Sequence, residues 1–224
     1  MTKDLDTLAT ALYVKVDDYL IAFPDLAPER PPIGIRPSLS DAELVTMAVL
    51  SALLGFTSER AGCATPVRTC VPCIPYQPTQ SGYNKRIRAA ATLIVRLIGV
   101  LGRDTSLWSD DVWVIDCTPV ECGRSRQTTQ RSDLAGWAEY GYCASHSRFF
   151  WGLRLHLLCT LGGLPVAFAL TGAKADERTT LLGVLHTAGD LVARHPGQTI
   201  IADMQYYGRD FEHTLTAAGL RLMR

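Results

Sequence analysis

A chain of 224 residues, 47% of them hydrophobic and with a mean hydropathy of +0.09, carries enough apolar side chains to fill a sizeable core. Its 22 basic and 22 acidic residues cancel, so any contact with nucleic acid has to come from local clusters and not from a global field. No apolar run reaches the roughly 18 residues of a membrane span, and the amino terminus, with Asp4, Asp6, Asp17 and Asp18, lacks the basic start and apolar middle of an export signal. The expected location is therefore cytoplasmic, and the seven cysteines read as reduced thiols.

Leu5, Leu8, Leu12, Val16 and Leu20 recur at helical spacing and predict an amphipathic helix over residues 3–22, ended by Pro24. Pro24, Pro28, Pro31, Pro32 and Pro37 then predict an extended linker. Ser40 with Glu43 is a capping-box start for a second helix that runs to Gly55. A third is predicted from Asn84 to Leu101, with Lys85, Arg86 and Arg88 at its start, so the first 105 residues are mostly helical.

From Val112 the pattern changes to short apolar runs at Val112–Ile115, Gly152–Leu161, Pro165–Leu170 and Thr199–Ala202, the second and third joined by a hairpin turn at Leu161-Gly-Gly-Leu-Pro165. Asp176–Val192 reads as a helix with Leu181, Leu182, Leu185 and Leu191 as its buried stripe, and Phe211–Ala218 as another. The fold class expected is mixed α/β.

Two of these strands end on an aspartate. Asp116 follows the run Val112-Trp-Val-Ile115, which Pro119 is expected to stop, and Asp203 follows Ile200-Ile-Ala202. Carboxylates at neighbouring strand tips can share divalent cations, and such hard oxygen ligands suit Mg2+ or Mn2+ in phosphoryl chemistry. Glu121 is expected to leave the sheet after Pro119, and Asp176 with Glu177 to cap a helix.

The segments Asp111–Val120, Arg131–Trp137, Tyr140–His156 and Ile200–Asp203 together resemble a bacterial insertion-sequence transposase of the DDE type. The resemblance implies a helical amino-terminal region over residues 1–105, expected to bind DNA, followed over 106–224 by a partial ribonuclease H-like catalytic domain. It implies metal-dependent cleavage at transposon ends and transfer of the freed strand to target DNA, with Asp116 and Asp203 as the first two acidic ligands and a homo-oligomer as the working form. The family's third ligand is a glutamate on a helix well downstream. Beyond Asp203 the chain has only Glu212, too near to match, so the chain resembles a transposase cut short, and whether it acts as an enzyme stays open. Met204 stands where the family often has lysine.

Candidate DNA contacts are Lys85, Arg86 and Arg88, then Arg124, Arg126 and Arg131 in the polar excursion between the first two strands, and Arg148 and Arg154, which with His156 alternate along a strand with Phe150, Leu153 and Leu155. Cys63, Cys70 and Cys73 include a Cys-x-x-Cys pair but no second pair or histidine to complete a zinc site. Ala61-Gly-Cys-Ala-Thr-Pro-Val67 is what codons for Arg-Trp-Leu-Arg-Tyr-Ala-Arg spell when read one base later, so residues 61–73 are expected to be a local, compensated frameshift. The alternatives are a catalytically silent DNA-binding or oligomerising fragment, and a metal nuclease of ribonuclease H-like type.

Overall fold

The computed structural model describes residues 2–30, 37–56, 79–143 and 147–224, the side chains from residue 5 onward, in two compact units, Met1–Ile98 and Gly99–Arg224. The cysteine pair and the frameshift window at 61–73 lie outside the described residues, as does part of the proline-rich linker.

In the first unit, helix α1 (Thr2–Ala22) runs as the leucine spacing requires, and a 3-10 turn at Pro24–Leu26 follows it. Helix α2 (Asp41–Leu53) opens on the expected capping box: the Ser40 hydroxyl accepts from Glu43 N–H at 3.1 Å while the Glu43 carboxylate accepts from Ser40 N–H. Gly55 just beyond it takes φ +75°, a left-handed conformation that glycine reaches without a Cβ penalty. The helix predicted from Asn84 starts earlier, because the Thr79 side chain caps Gly82 N–H, and it divides at Ala90 into α3 (Gln80–Ala89) and the beginning of α4 (Ala91–Arg103). Val16, Ala42, Val45, Leu93 and Leu97 pack as one buried cluster, and Ala9, Leu39, Leu44, Met47, Leu50 and Tyr83 as another.

The second unit is built on a six-stranded sheet. Strand β1 (Val112–Gly123) is followed by a one-turn-and-a-half helix α5 (Arg126–Arg131), β2 (Glu139–Cys143), β3 (Arg148–Thr160) and β4 (Pro165–Gly172). Helices α6 (Glu177–Thr187) and α7 (Gly189–Arg194) lead to β5 (Thr199–Ile201), and α8 (Arg209–Ala217) leads to β6 (Arg221–Met223). β1 pairs antiparallel with β3, and β2 and β4 pair in turn with the other edge of β3. On its far side β1 pairs parallel with β5, and β5 parallel with β6. Strands β4, β3 and β1 are thus antiparallel, and β5 and β6 continue parallel to β1, so the sheet is mixed and the fold α/β.

Three expectations are corrected here. Pro119 does not stop β1: it pairs with Arg154 of β3, and past Val114 the β5 side of β1 is an open edge where a residue without an N–H leaves no ladder bond unmade. Asp116 therefore sits inside a long strand, at the end of the parallel β1–β5 ladder rather than the end of β1. The segment Glu139–Cys143, expected in an irregular excursion, is a strand recruited by the amino-terminal half of β3. Glu121 does not leave the sheet but pairs opposite Gly152.

The core lies between one sheet face and the helices α6 to α8. Trp113, Ile115, Leu158 and Ile200 point from the strands to meet Leu181, Leu185, Leu191, Phe211 and Leu215. At roughly 1.5–3 kcal/mol per buried aliphatic side chain, this cluster fixes which way each β-strand faces. His156 is sealed on the same side, 1% exposed, with Nε2 at 2.9 Å from the Thr171 hydroxyl. The alternation that seemed to offer Arg154 and His156 to polar partners thus turns them toward the helices.

Burial, together with the Arg154 cation and against the opposing pull of Glu177, holds the His156 imidazole below its ordinary value of 6.5. The unfolded chain takes up a proton below 6.5 that the folded chain refuses, so His156 adds stability in full above 6.5 and loses it as pH falls toward the depressed value. The thermal midpoint is expected to drop between pH 7 and 5.5 in the native chain and to drop less in His156→Asn. Equal pH slopes for the two proteins would refute the assignment.

Candidate functional site

The alternation of buried residues orients both aspartates. On β1, Trp113 and Ile115 face the core, so Val114 and Asp116 face away from it. On β5 and just beyond it, Ile200 and Ala202 face the core, so Ile201 and Asp203 face away. Val114 and Ile201 are the last paired positions of the parallel ladder, and two residues beyond each stand Asp116 and Asp203. Ala202 N–H still donates to Met223 O at 3.0 Å, which keeps the chain extended up to Asp203. Both residues thus stand two positions past the last pair of one parallel ladder, turned to the sheet face away from the core.

Each is oriented by local backbone. Asp116 Oδ1 accepts from Cys117 N–H at 2.7 Å, and Asp203 Oδ1 accepts from Gln205 N–H at 2.8 Å. Both side chains are exposed, and among the described residues the second oxygen of neither takes part in a hydrogen bond. This donor set suits a hard cation: Mg2+ is commonly held by one or two carboxylates, with water and substrate phosphate completing its shell. Among the described residues no group of three or more histidine, cysteine or acidic side chains is placed to hold a metal, so the fit extends to the pair alone.

Behind the pair, on the core side of β1, is a second set of polar groups that sequence reasoning missed. Cys117 Sγ donates to Glu177 Oε1 at 3.0 Å, and Arg154 pairs with the same oxygen at 2.5 Å and reaches Tyr142 O at 3.3 Å. Burial first, then Glu177 as hydrogen-bond acceptor and as charge, pushes the Cys117 thiol up to about 12, so it stays protonated. Tyr206 is 1% exposed and its hydroxyl has no partner among the described residues. Burial above all, and then the charge of Glu177, raise its pKa. The sequence signal was the pair of tyrosines directly after Asp203-Met-Gln205.

The other acids have structural work. Asp176 caps α6 through Thr179 N–H at 2.9 Å and binds Arg178 at 2.9 Å; the Arg178 hydrogen bond, then the capping N–H, holds its carboxyl at about 2. Glu177 does not share that capping role, being turned to Arg154 and Cys117. Glu121 binds Arg124 at 3.1 Å and faces Arg148 at 3.9 Å, and strand alternation turns it away from the Asp116 side. Glu212 pairs with Arg224 at 2.8 Å.

The proposed DNA contacts divide in the same way. Arg86 is committed to the fold of the first unit, donating to Leu39 O and Asp41 Oδ1, both at 2.6 Å, and Arg154 is bound to Glu177. Lys85, Arg88, Arg126 and Arg131 make no ion pair among the described residues. Arg124 and Arg148 are exposed beside Glu121.

A cleft of about 480 Å3 opens at the carboxyl ends of β4 and β5, the edge where α/β sheets take their ligands, lined by Arg154, Lys174, Glu177, Arg178, Gln205 and Tyr207 among others.

The six-stranded mixed sheet carries two exposed aspartates, each two residues past the last pair of its β1–β5 contact. The family described as the transposase DDE domain matches residues 107–222, more than half of the chain, and the chain belongs to that family. Among solved structures it is similar to the Drosophila P element transposase strand transfer complex, at 14% identity and a TM-score of 0.34, over 98% of this chain and 43% of that one. This chain therefore spans less than half the length of that protein. No curated protein sequence matches it significantly.

Proposed function

We propose that this chain cleaves DNA at the ends of an insertion sequence and transfers the freed strand to target DNA, with Asp116 and Asp203 holding Mg2+ or Mn2+. The observation that supports the reading is a pair of exposed, backbone-oriented carboxylates, each two residues past the last pair of one parallel ladder, within a chain of the DDE transposase family. When bound, the cation supplies Lewis acidity at the scissile phosphate and lowers the pKa of attacking water. The protein's own part is positional: the amides of Cys117 and Gln205 fix the carboxylates before substrate arrives.

Lys85, Arg88, Arg124, Arg126, Arg131 and Arg148 supply phosphate contacts in this reading, residues 1–105 act as the DNA-binding region and 106–224 as the catalytic part, in a cytoplasmic homo-oligomer. No helix of the described residues is long and apolar enough to cross a membrane. The second reading, a catalytically silent DNA-binding or oligomerising fragment, is favoured by one observation, that no third ligand joins the pair among the described residues.

The test is incubation of the full chain with duplex DNA carrying the inverted repeats that flank its gene. Mg2+-dependent nicking at the repeat ends, stopped by EDTA, is the expected result. Binding of those ends without nicking in Mg2+ or Mn2+ would replace the enzyme with the silent fragment.

A further inference from the structure

We propose that the cleft between Lys174, Arg178 and Tyr207 is a nucleotide subsite, which takes one unpaired nucleotide of the DNA strand next to the phosphodiester held at Asp116 and Asp203. The inference rests on the acid-pair reading above and adds residues that neither the sequence nor the family match assigns.

Charge bookkeeping within the cleft points to an anion. Five charged side chains line it, and four neutralise one another: Arg154 with Glu177 at 2.5 Å, and Arg178 with Asp176 at 2.9 Å. Lys174 remains, with no ion pair and no side-chain hydrogen bond among the described residues. The surplus is a single ammonium, matched to the single charge of a phosphodiester. The cavity, about 480 Å3, falls in the range of small-ligand clefts, room for a nucleotide and not for a duplex.

An aromatic wall adds a second requirement. Tyr207 is 59% exposed, and Arg178 both lies over its ring, 5.5 Å from the centroid, and donates to Tyr207 O at 3.1 Å. An exposed ring held in place from one side costs little entropy when a planar base stacks on it. The third observation is independent of both. Gln205 lines the cleft while its backbone N–H orients Asp203 at 2.8 Å.

The experiment uses the full chain, EDTA to prevent cleavage, and single-stranded 12-nucleotide oligonucleotides with 2-aminopurine moved through successive positions. Fluorescence quenching by stacking is expected at one or two adjacent positions. Tyr207→Ala should abolish it and weaken binding about tenfold, Tyr207→Phe should preserve it, and Lys174→Ala should weaken binding while Arg194→Ala on α7 does not. Asp203→Asn should leave the quenching intact, so a failure of the metal reading appears in cleavage alone. Quenching that survives Tyr207→Ala, or equal effects of Lys174→Ala and Arg194→Ala, would overturn the proposal. So would binding of the free 2-aminopurine deoxynucleoside monophosphate as tight as the oligonucleotide's, which would assign the cleft to a free nucleotide.

Discussion

Asp116→Asn and Asp203→Asn are each expected to lower Mg2+-dependent strand cleavage by more than about a hundredfold, since loss of a mere outer-shell partner already costs about 10–100-fold at metal sites. The substitution keeps size and shape. It also keeps a carbonyl oxygen to accept from Cys117 N–H at residue 116 and from Gln205 N–H at residue 203, so thermal stability should stay within about 0.5 kcal/mol, the range of ordinary surface changes. The double variant should be hardly worse than either single one, because residues acting through one cation behave as a unit. Cleavage measured on the flanking repeats, beside a thermal melt of each variant, gives both numbers. Undiminished nicking by either single variant would end the acid-pair mechanism even with the fold assignment untouched.

Gly152→Ala should be the most damaging single methyl in the second unit. Gly152 sits where β3 is hydrogen-bonded on both sides, opposite Glu121 of β1 and Glu139 of β2, and next to the irregularity between Glu121 and Gly123. A Cβ there would come within 2.0 Å of Val120 O and 3.0 Å of Cys122 N, both backbone atoms of a central strand that cannot swing aside as a side chain would. Overpacking costs about 1–3 kcal/mol where side chains yield, and about 3 kcal/mol or more is expected here. The matching fall in thermal midpoint is roughly 6–12 °C. Gly163→Ala is the control: its φ of +84° imposes strain, but no atom lies within reach of the new methyl, so the loss should be only about 1–2 kcal/mol. A Gly152→Ala midpoint as high as that of Gly163→Ala would show that β1 moves more freely than its pairing implies.

Features written in neighbouring residues were readable from the sequence. The capping box at Ser40 and Glu43, the hairpin at Gly163 and the leucine spacing of α1 each depend on contacts three to five residues apart. β2 was not readable, because Glu139-Tyr-Gly-Tyr-Cys143 has no apolar run and becomes a strand only through the edge that β3 offers it. The continuation of β1 through Pro119 was hidden for the same reason, since whether proline is tolerated depends on which neighbour is absent.

The exposed position of the two aspartates beyond the parallel ladder was legible because a carboxylate after an apolar strand is a local pattern. The roles of the basic residues were not. Arg86 finds Asp41 across 45 positions and Arg154 finds Glu177 across 23, so a guanidinium that looks available for phosphate in the sequence is already taken in the fold. Lys174 and Tyr207, which carry no pattern of their own, become candidates only after those partners are assigned.

Adjacent residues of β1 have opposite surroundings: position 116 is exposed to water, while position 117 stays protonated against Glu177 among the helices. A single inserted codon between Trp113 and Asp116 would exchange the two assignments without altering any other amino acid. The thiol would then meet solvent and an ionised carboxylate would be driven into an apolar interior beside an existing anion. Reading-frame-preserving indels in this short stretch should therefore be far more harmful to the gene than most substitutions there, a constraint on length in place of one on identity.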